Sequence, residues 1–305
     1  LVDGDAGIGL QRGADLLGAV LVTAALMLGV YTILEAGDYG WASLHTLGLG
    51  AVALVLLGAF VVRQARASTP LVPLRIFRSR NVSGANVIQM LMVAGLFGMF
   101  FLSVLYLQRV LGYDAIETGL AFLPVSVLIG VLSLGFSARL NTRFGARATL
   151  LPGLVLLAGA LALFARVPVD GSYVSDLLPS MVMFGIGAGL SFPSLMTLAM
   201  SGATRSDAGL ASGLVNTSLQ VGGALGLAIL ATLATSRTEE LLAGGASRAS
   251  ALTGGYQLAF IVAAGLVVAA IAIALTVLRS ERVAAAEVEA QAEVGEAEPA
   301  YSEAA

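Results

Sequence analysis

Eight long apolar runs constrain this 305-residue chain more than any other feature. They lie at about 16–36, 44–62, 84–107, 118–138, 148–165, 176–200, 209–235 and 255–278. Each approaches the roughly 20 residues that an α-helix needs to cross a bilayer's hydrocarbon core. Composition agrees with a chain solvated mainly by lipid. Hydrophobic residues make up 58%, charged residues 11%, and the mean hydropathy is +0.92. Soluble domains carry about 25% charge because a folded surface must be wetted. Strands of a β-barrel would give short alternating segments instead of continuous runs. The expected fold is an all-α integral membrane protein with eight transmembrane helices.

Arginine sets the expected orientation. With residues 1–15 on the cytoplasmic side, one set of loops holds Arg12, Arg63, Arg66, Arg75, Arg78, Arg80, Arg139, Arg143, Arg147, Arg205, Arg279 and Arg282. The opposite set holds only Arg109, Arg166, Arg237 and Arg248. Because cytoplasmic loops carry the excess of basic residues, both termini are expected in the cytoplasm. Tyr39, Trp41, Tyr106, Tyr113, Tyr173 and Tyr256 mark span ends, where amphipathic rings favour the headgroup layer. The polar connection at about 236–254 then faces outward, and the tail 280–305 is an acidic cytoplasmic segment.

Several function classes are excluded by what the chain lacks. The net charge is −3, and no basic face suited to nucleic acid is visible. There is no Cys and only one His, His45, so neither a thiolate nor a His-rich metal site can form. No Lys, G-x-S-x-G or H-E-x-x-H pattern supplies catalytic machinery, so no catalytic residue, metal or cofactor is expected. Glu35 and Asp38 sit where the first run reaches an interface, and Asp114 with Glu117 fits a helix-opening capping box.

Uncharged polar residues inside the runs are more informative. Asn86 and Gln89 share a helical face in the third run, with Phe97 and Phe101 further along. In the seventh, Gly209, Gly213, Asn216, Gln220 and Gly223 follow one helical stripe. An amide facing lipid would cost several kcal/mol, so these side chains need either a partner helix or a wet cavity. Both readings stay open at this point. Gly185 and Gly189, followed by Phe192-Pro193-Ser194, and Gly222 with Gly226, give the small-x-x-x-small spacing of close helix packing. Pro124 and Pro193 are expected to interrupt backbone bonding within spans.

Longer stretches resemble one family. Pro70-Leu71-Val72-Pro73-Leu74-Arg75-Ile76-Phe77-Arg78-Ser79-Arg80-Asn81 is similar to the loop after helix eight of fourteen-helix drug:proton antiporters of the major facilitator superfamily. Tyr106-Leu107-Gln108 with Leu111-Gly112-Tyr113, then Gly119-Leu120-Ala121-Phe122-Leu123-Pro124, resembles the end of their ninth helix and the start of their tenth. Gly209 to Thr217, with Gln220 to Gly226, resembles their thirteenth. Arg143, Gly145 and Arg147 resemble the second copy of the superfamily's cytoplasmic loop motif. That motif is incomplete here, with Thr142 in place of its Asp and Ala138 in place of its first Gly.

The resemblance implies a partial major facilitator fold whose six-helix N-terminal half is missing. Residues 16–62 would be two additional helices between the halves, 63–83 a basic cytoplasmic loop, and 84–279 the six-helix C-terminal bundle, built as a 3+3 inverted repeat. It also implies efflux of bulky apolar or cationic drug-like compounds against proton entry, across a bacterial cytoplasmic membrane. Asn86, Gln89, Phe97, Phe101, Phe192, Ser194, Asn216 and Gln220 would line the substrate cavity, and Gly185, Gly189, Gly209, Gly213, Gly222 and Gly226 would pack helices. The expected partners are lipid bilayer, substrate, proton and the missing half, with no nucleic acid. A metabolite transporter of the same superfamily, or a truncated non-transporting scaffold or sensor, is the alternative.

Overall fold

The computed structural model describes residues 15–68, 70–201 and 208–278. The expectations placed on 1–14 and on the tail 280–305 lie outside the described residues. Eight helices long and apolar enough to cross a membrane follow one another: α1 (Leu16–Tyr39), α2 (Leu44–Arg66), α3 (Arg80–Arg109), α4 (Ala115–Phe144), α5 (Ala146–Phe164), α6 (Tyr173–Ser201), α7 (Ala208–Ala243) and α8 (Arg248–Thr276). No strand occurs among the described residues. Among the described residues the protein is all-α, with eight membrane-spanning helices.

Capping, more than apolarity, decides where the helices stop. The Ser43, Ser79 and Ser247 hydroxyls accept from the amides of Thr46, Val82 and Ser250, satisfying first-turn donors. Asp114 and Glu117 close the capping box reciprocally, at 2.8 and 3.0 Å. Polar residues do not end a helix by themselves, so several helices outrun their apolar runs. The connection expected at 236–254 is thereby corrected: α7 continues to Ala243, carrying an Arg237–Glu240 ion pair at 2.6 Å, and α8 begins at Arg248. Only 244–247 remain between them, turned by Gly245 at φ +86°.

The two expected proline breaks differ. Within α4 the chain re-enters a helix at Leu123, which places Pro124 in a first turn where its missing N–H leaves no gap. Pro193 does lie inside α6 and cannot donate to the Gly189 carbonyl four residues back. The Ser133 hydroxyl of α4 donates to that carbonyl at 3.3 Å. Ser133 stands in a wider π-type turn, Leu132–Phe136, that re-aims this stretch of α4.

The chain divides into two compact units, Leu1–Ile76 and Phe77–Ala305. In the first, α1 and α2 form a hairpin closed by a polar cluster. Asp15 caps α1 by accepting from the Gly18 amide at 2.9 Å, and also accepts from Arg63 Nε at 3.0 Å and Gln64 Nε2 at 2.8 Å. Gln64 Oε1 in turn accepts from the Val72 amide at 3.1 Å. The Gly18 amide, then Gln64 and Arg63, hold the Asp15 carboxyl below its ordinary value of 3.8 against the opposing effect of burial. A lowered folded pKa means that the contribution is complete above the ordinary value and is lost as pH falls through the lower one. The stability difference between the native chain and Asp15→Asn, followed by thermal unfolding, should therefore be constant near neutrality and shrink once pH drops below about 3.8.

In the second unit, α3 packs on α6, α7 and α8, α6 on α4 and α5, and α8 on α5 and α7. With α4 on α5 added, exchanging α3, α4 and α5 for α6, α7 and α8 maps these eight pairs onto themselves; α4–α5 is the slightest of the eight, and the lesser contacts α3–α4, α3–α5 and α6–α7 stand outside the set. Without a hydrophobic force between helices in lipid, close approach depends on small residues. Gly185 and Gly189 admit the α4 backbone near Val125 and Leu128, while Gly187 between them meets Gly153 and Leu157 of α5. Gly222 lies against the backbone of Met90 and Gly226 against Ala94, both on α3. A Cβ on Gly222 would stand 2.6 Å from Met90 Cα, whereas one on Gly265 would meet nothing within 4 Å among the described residues. Gly222→Val should destabilise the bundle by about 1–3 kcal/mol through overpacking, while Gly265→Val stays near neutral. Thermal unfolding in detergent separates the two.

Candidate functional site

Helix α7 presents two faces of different character. Ala211, Ser218, Gly222 and Gly226 are buried against the bundle. Gly209, Gly213, Asn216, Gln220 and Ala224 lie on the opposite stripe and are exposed. The spacing i, i+4, i+7, i+11 keeps that stripe on one side of a 3.6-residue helix. Among the described residues nothing lies within 4 Å of where a Cβ would stand on Gly209 or Gly213, in contrast to Gly222 and Gly226. These two glycines thus leave the stripe flat, and no described helix packs on them.

Next to this stripe lie two rings of α3. Phe97 and Phe101 are both partly exposed, and the Phe97 ring covers Gly223, with ring carbons 3.3 Å from its would-be Cβ position. Phe192 of α6 is half-buried against the core. The remaining polar candidates face inward. Asn86 is buried, donates to the Val82 carbonyl at 2.8 Å and accepts from the Ser218 hydroxyl at 2.8 Å. Gln89 is also buried. The Ser194 hydroxyl lies 2.9 Å from Asn141 Oδ1 and 2.8 Å from the Leu190 carbonyl oxygen, its one proton shared between the two acceptors, and joins α6 to the end of α4. The two ways of satisfying a span amide are therefore divided between residues. Asn86 and Ser194 meet partner helices, while Asn216 and Gln220 stand on an open face.

Sequence reasoning missed Ser218 and Asn141, the partners that use up Asn86 and Ser194. Ser218 lies two residues beyond Asn216, about 200° around the helix, which puts it on the packed face. That offset was readable, but the match across 132 residues to Asn86 was not.

The basic loop motif forms a compact joint between α4 and α5. Gly145 adopts φ +89°, a left-handed conformation that β-carbon-bearing residues rarely take, and its amide donates to the Asn141 carbonyl at 2.9 Å. Arg147 donates from Nε to the Ala274 carbonyl at 3.2 Å and from Nη2 to the Leu275 carbonyl at 2.7 Å. It thus places a cation on the carbonyl end of α8, where the helix dipole is negative. The Arg143 guanidinium lies 5.3 Å over the Phe144 ring and faces out.

Among the described residues, eight apolar spans, a glycine-seamed six-helix bundle and an open polar stripe define a polytopic helical membrane protein. The model of the Major Facilitator Superfamily matches residues 5–227, and the chain belongs to that superfamily. It is 34% identical over 279 residues to the puromycin resistance protein of Streptomyces alboniger, covering 90% of this chain and 55% of that one. It is 37% identical over 233 residues to the cephamycin export protein of Amycolatopsis lactamdurans, covering 73% and 46%. With the tetracenomycin C resistance and export protein of Streptomyces glaucescens it shares 32% identity over 231 residues, covering 75% and 42%. The chain thus spans about half the length of the curated relatives it matches, and its fold is a partial major facilitator fold.

The Asn86–Ser218 bond gives a direct test of the packing role. Asn86→Ala and Ser218→Ala should each destabilise α3–α7 packing, with a coupling of about 0.6 kcal/mol and at most about 1.7 in a double-mutant cycle. Unfolding of the four variants in mixed micelles measures it.

Proposed function

We propose that this chain is the C-terminal part of a proton-coupled multidrug efflux antiporter of the fourteen-helix class. On this reading 16–62 are two helices between the halves and 84–279 the C-terminal bundle, with a six-helix N-terminal half preceding them in the whole transporter. The exchange symmetry of the packed pairs in the second unit supports a 3+3 inverted repeat, the plan on which such bundles are built. Relatives of which the matched part of this chain covers about half, named for antibiotic resistance or export, support the assignment to drug efflux. The Arg imbalance supports cytoplasmic placement of the 63–83 and 139–147 loops.

The exposed amide stripe of α7 carries the reading. Asn216 and Gln220 cannot face hydrocarbon cheaply, and no described neighbour satisfies their exposed side chains. A wet, substrate-sized space between this face and the N-terminal half resolves that demand. Phe97, Phe101 and Phe192 supply the apolar and aromatic surface of the same cavity, which bulky drugs require. Asn86, Gln89 and Ser194 shape the wall from behind. No span carries a charged residue near its middle, so the coupling carboxylate belongs to the absent half.

Replacing Gln220 or Asn216 by Leu in the full-length gene product should leave folding intact and shift export unevenly among drugs, because each compound uses different contacts in an adaptable pocket. Resistance profiles normalised to membrane protein level are the measurement. Losses that are uniform across drugs and track expression would return these residues to a packing role.

A further inference from the structure

A second cavity opens at the far end of the same bundle. It lies between the end of α3, the end of α7 and the start of α8, away from the 139–147 loop. It encloses about 690 Å³, within the range of roughly 300–1,000 Å³ typical of ligand sites. Its floor and walls are apolar, including Phe101, Leu105 and Leu252, while Arg109, Arg248 and Glu239 line it at the helix ends. Tyr256 also lines it and is buried, and its hydroxyl makes no well-formed hydrogen bond among the described residues, with the Arg109 guanidinium beside it. Glu240 is engaged by Arg237, so it does not neutralise the arginines of the cavity.

We infer that this cavity holds the headgroup and upper chain of a membrane phospholipid. Two guanidiniums against one carboxylate leave a net positive lining, which suits a phosphate diester held by charge-assisted hydrogen bonds. Glu239 offers a complementary contact for the ammonium of a zwitterionic headgroup. Because the three charges sit where the helices reach the interface, they lie at the depth of lipid phosphates. The apolar walls continue inward toward Phe101, along the course an acyl chain follows. The Tyr256 hydroxyl gains an acceptor when a phosphate or ester oxygen enters. The charged end of the site stands apart from the amide stripe, with Phe101 at the border between the two, and the site requires only that the bundle be embedded in a bilayer.

The test is native mass spectrometry of the delipidated full-length gene product, titrated with phosphatidylglycerol, phosphatidylethanolamine and inorganic phosphate. One lipid should bind more tightly than the annular population, and the Arg109→Gln/Arg248→Gln double variant should weaken it about tenfold or more. Arg166→Gln, at the same membrane end but outside the cavity, should leave it unchanged. Leu252→Trp, which puts an indole into the apolar part of the cavity and keeps its charges, should weaken lipid binding and so tests the site even if the arginine variant folds poorly. Unchanged affinity in both cavity variants, or equal weakening by Arg166→Gln, overturns the inference. Saturation by inorganic phosphate with no retained lipid overturns the lipid as occupant. Because the readout is bound lipid and not drug export, failure here leaves the efflux reading standing, and the reverse holds as well.

Discussion

Hydrocarbon offers a peptide group no hydrogen-bond partner, so every polar atom in a span must find one inside the protein or in enclosed water. Much of this structure follows from that demand. Pro193 leaves the Gly189 carbonyl unpaired, and Ser133 reaches across from α4 to take it. Asn86 is tied to its own helix and to Ser218, and Ser194 to its own helix and to Asn141. At the membrane border, Arg147 donates to the Ala274 and Leu275 carbonyls at the end of α8. Each device adds a cross-link between helices while it satisfies an atom.

The same solvent removes the force that packs soluble cores, because lipid tails are as apolar as Leu. Association then rests on dispersion over closely matched surfaces. Gly222 and Gly226 let α7 approach the α3 backbone, and the three glycines of α6 face two neighbours at once. Gly185 and Gly189 serve α4, while Gly187, half a turn away, serves α5. A helix with small residues on both sides can sit centrally, as α6 does between α4 and α5.

Number, type and approximate limits of the spans were legible because hydrocarbon thickness imposes a length and forbids charge. Helix ends were less legible. Once α7 leaves the apolar layer, its polar residues still prefer helix to coil, and the stop is set by Gly245 and Ser247. The division of labour among polar residues was only half legible. Spacing separates Ser218 from Asn216, but it cannot show that Asn86 lies opposite Ser218, a pairing across 132 positions. Gly209 and Gly213 illustrate the same limit, since small-residue spacing reads alike whether a helix packs there or the face stays open.

That open face has a further consequence. In water an exposed Asn–Gln stripe on a helix is unremarked surface, but in a bilayer it is tolerable only beside protein or enclosed water. Helix α7 satisfies its other polar positions internally, with Ser218 on Asn86 and Thr238 on the Ala234 carbonyl. Its two unsatisfied amides are therefore concentrated on one side, next to the rings of α3. On the proposed reading, this side faces the N-terminal half of the whole transporter. The glycines on the stripe then take on a different meaning from those in the seams. In the seams, absence of a side chain brings backbones together, whereas on the stripe it leaves the face open, which in the proposed transporter gives room for a guest of variable shape.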